Sequence, residues 1–194
     1  MDADVLVIGG GPVGAALGML LRRSRMRAMV LERAQFPRDK PCGEGLLPSG
    51  GAVLEELGVD LAGEGFPVTR GVRYRLEDGR AVSALFRRPG FGVRRLRLDA
   101  LLAERAGVCS GVESMEVRLL PAGVLVETSA GPLRARAVVG ADGFRSEVRA
   151  RMGWTRPPRP PHRYALVGHL EARRHGLEEV VVTILGEVEV YVAP

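Results

Sequence analysis

Residues 5–33 read VLVIGGGPVGAALGMLLRRSRMRAMVLER, and this stretch decides the fold. Val5, Leu6, Val7 and Ile8 are a short continuous apolar run, as expected of a parallel strand buried on both faces. Gly9, Gly11 and Gly14 follow in the spacing G-x-G-x-x-G, with Pro12 and Val13 between them. From Pro12 to about Ser24 the composition is that of a helix, and Pro12 suits a first turn where its absent N–H costs nothing. Ala28 to Leu31 then forms a second apolar strand that ends at Glu32.

That order carries a specific chemistry. Gly9 allows a tight strand-to-helix turn, Gly11 lets a pyrophosphate approach the backbone, and Gly14 lets helix and strand pack closely. The free N–H groups and positive end of the helix dipole then suit the phosphates. Glu32 lies eighteen residues beyond Gly14, where a carboxylate can accept both hydroxyls of an adenosine ribose. The stretch therefore predicts a dinucleotide site. A glycine-rich capping turn in an unrelated α/β protein is the alternative.

The rest of the composition narrows the class. At 194 residues the chain can bury a real core, and 46% hydrophobic residues is ordinary for a globular protein. No apolar run reaches membrane-spanning length, and the opening Met-Asp-Ala-Asp enters a strand directly, so no signal peptide is expected. Cys42 and Cys109 form no metal or redox spacing, so we expect no metal and a cytoplasmic chain with reduced thiols. The net charge is +5, but the arginines are scattered and aromatics are only 5%, which argues against nucleic acid as a partner.

Beyond Arg33 the segment AQFPRDKPCGEGLLPSGG, residues 34–51, holds three prolines and four glycines and reads as a long loop. Such a loop at the carboxyl end of a parallel strand is where ligands of open α/β sheets bind. Ser49 is expected to cap a helix over Gly50 to Leu57, ended by Gly58. Asp78-Gly79 predicts a hairpin between 71–77 and 81–86. A helix is expected over Leu96 to Ala106, strands near 112–119, 124–129 and 132–140, and a helical turn over 144–152. The proline-rich segment Trp154 to His162 reads as a linker. Strand-like runs follow at 164–171, 179–185 and 187–192. His162, His169 and His175 lack ligand spacing and read as surface residues.

Three motifs stand in one order: GGGPVG with Glu32-Arg33, FPRDKPCGEGLLP at 36–48, and VVGADGFRSEVR at 138–149. Together they resemble the group A flavoprotein monooxygenase superfamily, and within it the geranylgeranyl reductase-like branch. The resemblance implies an α/β fold: a Rossmann-like FAD-binding domain with a mainly parallel sheet, over 1–70 and 92–153. Part of an antiparallel-sheet substrate domain would occupy 71–91 and 154–194. It implies that Gly9, Gly11, Pro12, Val13 and Gly14 hold the FAD pyrophosphate, Glu32 the ribose, and Arg33 the adenine end. Arg95, in the arrangement R-L-R-L-D ending at Asp99, would grip the FAD phosphates or ribityl chain, its alternative being an exposed surface arginine. Asp142 and Gly143 belong to the Asp-Gly motif associated with FAD and NADPH, and Asp142 can also cap the following helix. Cys42, Gly43, Glu44 and Gly45 would face the flavin and substrate. Cys42 reads better as a small residue against a ring than as a nucleophile. Cys109 reads as a core filler.

The resemblance also implies what this chain should lack. A downstream Gly-Asp-Ala-type segment that binds the pyrophosphate and begins a helix aimed at the flavin lies beyond Pro194, so about half of the full protein is expected to be absent. The implied activity is that of an FAD-dependent oxidoreductase. It would be a reductase or monooxygenase acting on a small hydrophobic substrate, with NAD(P)H as reductant. A flavin-dependent halogenase and a non-catalytic nucleotide-binding fragment stay open, as does self-association or a partner chain that completes the fold.

Overall fold

A computed structural model describes residues 1–156, 163–171 and 176–194. In chain order its elements are β1 (Ala3–Ile8), α1 (Pro12–Arg23), β2 (Ala28–Glu32), β3 (Gly45–Leu46), α2 (Pro48–Glu56), β4 (Val68–Leu76) and β5 (Ala81–Gly92). There follow α3 (Arg95–Ala106), β6 (Cys109–Ser110), β7 (Ser114–Leu120), β8 (Gly123–Thr128), β9 (Leu133–Gly140), α4 (Glu147–Arg151), β10 (Glu179–Leu185) and β11 (Val188–Val192). They divide into two compact units, Met1–Asp39 with Leu96–Tyr164, and Lys40–Arg95 with Ala165–Pro194.

The first unit is built on a six-stranded sheet in the order β6-β2-β1-β9-β8-β7. From β6 to β9 the neighbours are parallel, whereas β8 pairs antiparallel with both β9 and β7. The continuous apolar run of β1 is explained by burial on both faces, since successive side chains alternate sides. Leu6 and Ile8 pack with Val117, Val124, Val126, Ala135 and Val148, whereas Val5 and Val7 pack with Val30, Leu17 and Leu21. The helix α1 comes close to β2 because Gly18 has no side chain: a Cβ there would lie 2.4 Å from a methyl of Val30.

The second unit holds a five-stranded sheet in the order β11-β10-β4-β5-β3. Every pair is antiparallel except β10 with β4. The β4–β5 hairpin turns at Asp78-Gly79, with Gly79 at φ +86° in the left-handed region that glycine favours. A bulge between Thr69 and Gly71 lets β5 run on to Gly92, well past the expected end at 86.

Two local expectations are corrected. Helix α2 starts at Pro48 with Leu47 as its cap, so Ser49 lies inside the first turn and does not cap it. Proline's fixed φ favours that first position over the serine's hydrogen bond. No strand forms at 164–171: residues 163–171 are irregular, and Tyr164, Leu166 and Leu170 are almost wholly exposed. Alternation alone makes no strand where no neighbour accepts it. Within the expected linker, 157–162 lie outside the described residues, as do His162 and His175.

Candidate functional site

The β1–α1 turn is closed by backbone contacts that leave no space for side chains. Gly9 sits at φ +109°, and its N–H donates to the Leu31 carbonyl at 2.8 Å. A Cβ on Gly9 would stand 2.4 Å from the Ala141 oxygen, and one on Gly14 would stand 1.8 Å from the Gly9 oxygen. The turn is thus clamped between β9 and α1. The helix begins at Pro12 with Gly11 as its cap, and no side chain caps it. Its first N–H groups have no acceptor within the helix, which makes this end a receptor for an anion.

Glu32 stands beside that turn at the end of β2. Its Oε2 accepts from the Gly10 N–H at 2.9 Å and its Oε1 from the Ala34 N–H at 3.1 Å. The carboxylate is mostly buried, at 11% exposure. Glycine at position 10 is needed for this approach, because a Cβ there would lie 2.7 Å from the Cβ of Glu32. Arg33, next in sequence, is exposed and pairs with Glu147 at 3.1 Å.

Sequence reasoning passed over Arg38 and left Asp99 without a role. Arg38 Nη1 lies 3.1 Å from Asp99 Oδ2, and its Nη2 lies 3.4 Å from Glu32 Oε2. Asp99 is completely buried on α3, among Leu98, Leu102, Ala103 and Ala106. A carboxylate on the apolar face of a helix is the signal that could have found it, since such a charge needs partners.

Asp142 and Gly143 follow β9. Asp142 accepts from the Ser146 hydroxyl at 2.6 Å and from the N–H groups of Glu147 and Val148 at 2.7 and 3.1 Å. Gly143 sits at φ +85°. Burial works against the charge on Asp142, but the Ser146 and backbone hydrogen bonds outweigh it and hold the carboxyl below its ordinary pKa. A lowered pKa contributes stability that is full above the unfolded value and is lost as pH falls through the folded one. Asp142→Ala is therefore expected to lower stability by about 1–2 kcal/mol near neutral pH, the usual worth of a helix cap. The gap from wild type should stay constant above about pH 5 and shrink below about pH 4. Urea unfolding at several pH values checks this, and a gap that widens on acidification would contradict it.

Cys42, Gly43 and Arg95 belong to the second unit. Cys42 is a half-buried free thiol, and a Cβ on Gly43 would meet nothing within 4 Å. Glu44 organises this loop. It holds a left-handed backbone at φ +54°, its carbonyl accepts from the Val93 N–H at 2.6 Å, and its Oε1 accepts from the Arg95 N–H at 2.8 Å. The loop is thereby tied to the residue that opens α3. Oε2 of Glu44 lies 2.6 Å from His169 Nε2, so His169 is a partnered side chain and not merely a surface residue. Cys109 is half-buried and lies on β6 beside Leu31 of β2. Gly9, Gly11, Pro12, Val13, Gly14, Glu32, Arg33, Asp142 and Gly143 all fall within the first unit.

Residues 2–95 match the FAD binding domain family. The chain is 29% identical to the rifampicin monooxygenase of Streptomyces venezuelae over 195 residues, covering 95% of this chain and 40% of that protein. Residues 2–95 are thus similar to an FAD binding domain. A 30% match over 188 residues joins the chain to the 1H-pyrrole-2-carbonyl-[peptidyl-carrier protein] chlorinase of Pseudomonas fluorescens, covering 78% of this chain and 42% of that protein. A shorter stretch of 58 residues is 47% identical to the menaquinone reductase of Mycobacterium tuberculosis, covering 30% of this chain and 14% of that protein. A flavoprotein/dehydrogenase from Cytophaga hutchinsonii shares the fold, with a TM-score of 0.79 at 21% identity over 93% of this chain and 50% of that one. The chain thus spans about two-fifths of the rifampicin monooxygenase and the chlorinase.

The residues of the first unit fit FAD. FAD needs an anion receptor for its pyrophosphate and an acceptor for its ribose diol. The uncapped start of α1 and the Glu32 carboxylate have the chemistry for these two tasks. Among the described residues no cluster of His, Cys, Asp and Glu could hold a metal ion, and no helix is long and apolar enough to cross a membrane.

Proposed function

We propose that this chain is the cofactor-binding part of an FAD-dependent oxidoreductase of the geranylgeranyl reductase-like branch, reduced by NAD(P)H and acting on a small hydrophobic substrate. The observation that carries the reading is the Glu32 carboxylate fastened to the Gly10 N–H beside an uncapped helix start. The PRDKPCGEG loop at 37–45 supports the branch, as does the local likeness to a menaquinone reductase. The bound flavin supplies the redox chemistry, and the protein supplies binding, orientation and exclusion of water. Glu32 holds the ribose, the start of α1 the pyrophosphate, and Asp142-Gly143 the bend that brings β9 past the turn. We place the protein in the cytoplasm, which accords with two free cysteines.

The 30% identity with the chlorinase over 188 residues favours a second reading as a flavin-dependent halogenase. One assay separates the two. The protein is supplied with FAD, NAD(P)H and an electron-rich aromatic or quinone probe, with and without chloride or bromide, and products are analysed by mass spectrometry. Reduction or hydroxylation independent of halide supports the oxidoreductase. Halogenated product overturns it in favour of the second reading.

We further propose that strand β11 pairs with a strand of another chain, either a second copy or a completing partner. It lies at the sheet edge with all five residues exposed, and Val188, Val190 and Val192 offer apolar surface. Edges of this kind are templates for strand addition. Size-exclusion chromatography with light scattering should show a dimer or larger species for the isolated chain, with weak NAD(P)H oxidation. A monomer with stoichiometric FAD and steady turnover would contradict this.

A further inference from the structure

We propose that Arg38 is a positioning residue of the ribose site, holding the Glu32 carboxylate in place by bridging it to the buried Asp99. This rests on the FAD reading of that site. Three observations carry it. The guanidinium meets two carboxylates at once, Glu32 at 3.4 Å through Nη2 and Asp99 at 3.1 Å through Nη1. Its side chain is mostly enclosed, at 14% exposure, and it lies 5.1 Å from the Phe36 ring centroid. Asp99 itself is wholly buried, so its charge fixes the guanidinium from a rigid helix rather than from a loop.

The chemistry follows from the shape of the group. A guanidinium is a flat fork whose two ends have a fixed spacing, so anchoring one end on Asp99 sets where the other can pull Glu32. The Asp99 contact is one of charge and not of alignment, for Nη1 and Nε make no hydrogen bond among the described residues. Packing beside Phe36 therefore helps to hold the plane. One backbone N–H holds each oxygen of Glu32, and Arg38 adds a second restraint on Oε2. A lysine keeps the charge but is a single compact donor group without the fork.

The test uses protein stripped of flavin and two ligands, ADP and 2′,3′-dideoxy-ADP, titrated calorimetrically into wild type, Arg38→Lys and Asp99→Asn. Circular dichroism monitors the fold. Wild type should bind ADP roughly ten-fold or more tightly than the dideoxy analogue, as hydroxyl bonds to a charged acceptor imply. In both variants that preference should fall to about three-fold or less, while affinity for the dideoxy analogue stays within about two-fold of wild type. A merely structural role would weaken both ligands together. A preserved preference in the variants, or loss of fold in both, overturns the proposal while leaving the FAD site standing. A wild type that binds neither ADP nor FAD overturns the FAD reading itself and the proposal with it.

Discussion

Gly14→Ala is expected to abolish FAD retention and to destabilise the first unit by about 3 kcal/mol or more. Ordinary overpacking by a methylene costs about 1–3 kcal/mol, because neighbouring side chains can shift. Here the added carbon would sit 1.8 Å from the Gly9 carbonyl oxygen, which is backbone and cannot rotate away. Gly9 is itself held by Leu31 and crowded by Ala141, so the turn has nowhere to retreat. Helix α1 would have to lift off β1, taking its first N–H groups with it. Gly43→Ala is the control. Its Cβ would meet nothing within 4 Å, and the change should lie within about 0.5 kcal/mol. Thermal unfolding and flavin absorbance of the purified variants check both. A Gly14→Ala protein within about 1 kcal/mol of wild type would show that the turn is looser than the clamp described.

Glu32→Ala is the second change with a large expected effect. It removes the acceptor for the Gly10 and Ala34 N–H groups and one partner of Arg38. Each part-buried donor left without an acceptor costs about 1–3 kcal/mol, and the ribose bonds are lost as well. The dissociation constant for FAD should rise by about a hundred-fold or more, since 1.4 kcal/mol is a factor of ten. Arg33→Ala, by contrast, breaks only an exposed pair with Glu147, worth about 0–1 kcal/mol. Its FAD affinity should change by a few-fold at most. Titration of FAD into the two stripped variants decides the matter. Equal losses would place the ribose elsewhere.

What could be read from the sequence was local and strongly patterned. The run from Ala3 to Glu32 carried its own periodicity, glycine spacing and terminal acid, and the structure forms the expected strand, helix and strand there. Asp78-Gly79 announced its hairpin for the same reason. The rest depended on partners distant in the chain. That β9 lies beside β1, with Val5 opposite Ala137, follows from tertiary packing that no short window encodes. Strands β3 and β6 are two residues each and exist only because β5 and β2 accept them. The run 164–171 had the converse fate: a strand pattern with no neighbour. Arg38 and Asp99 meet although 61 residues separate them, and only the buried acid on an apolar helix face hinted at the pair. The two other acids beside strand ends were easier. Glu32 and Asp142 act on residues within one turn of chain or across one strand.

On the proposed reading the first unit is built to hold FAD. The most direct measurement is to denature the purified protein, separate the released small molecules by chromatography, and titrate the stripped chain with FAD and with NAD. Released FAD is expected, or saturable FAD binding that ADP competes away and that NAD does not match. Release of NAD in place of flavin, with no affinity for FAD, would contradict it.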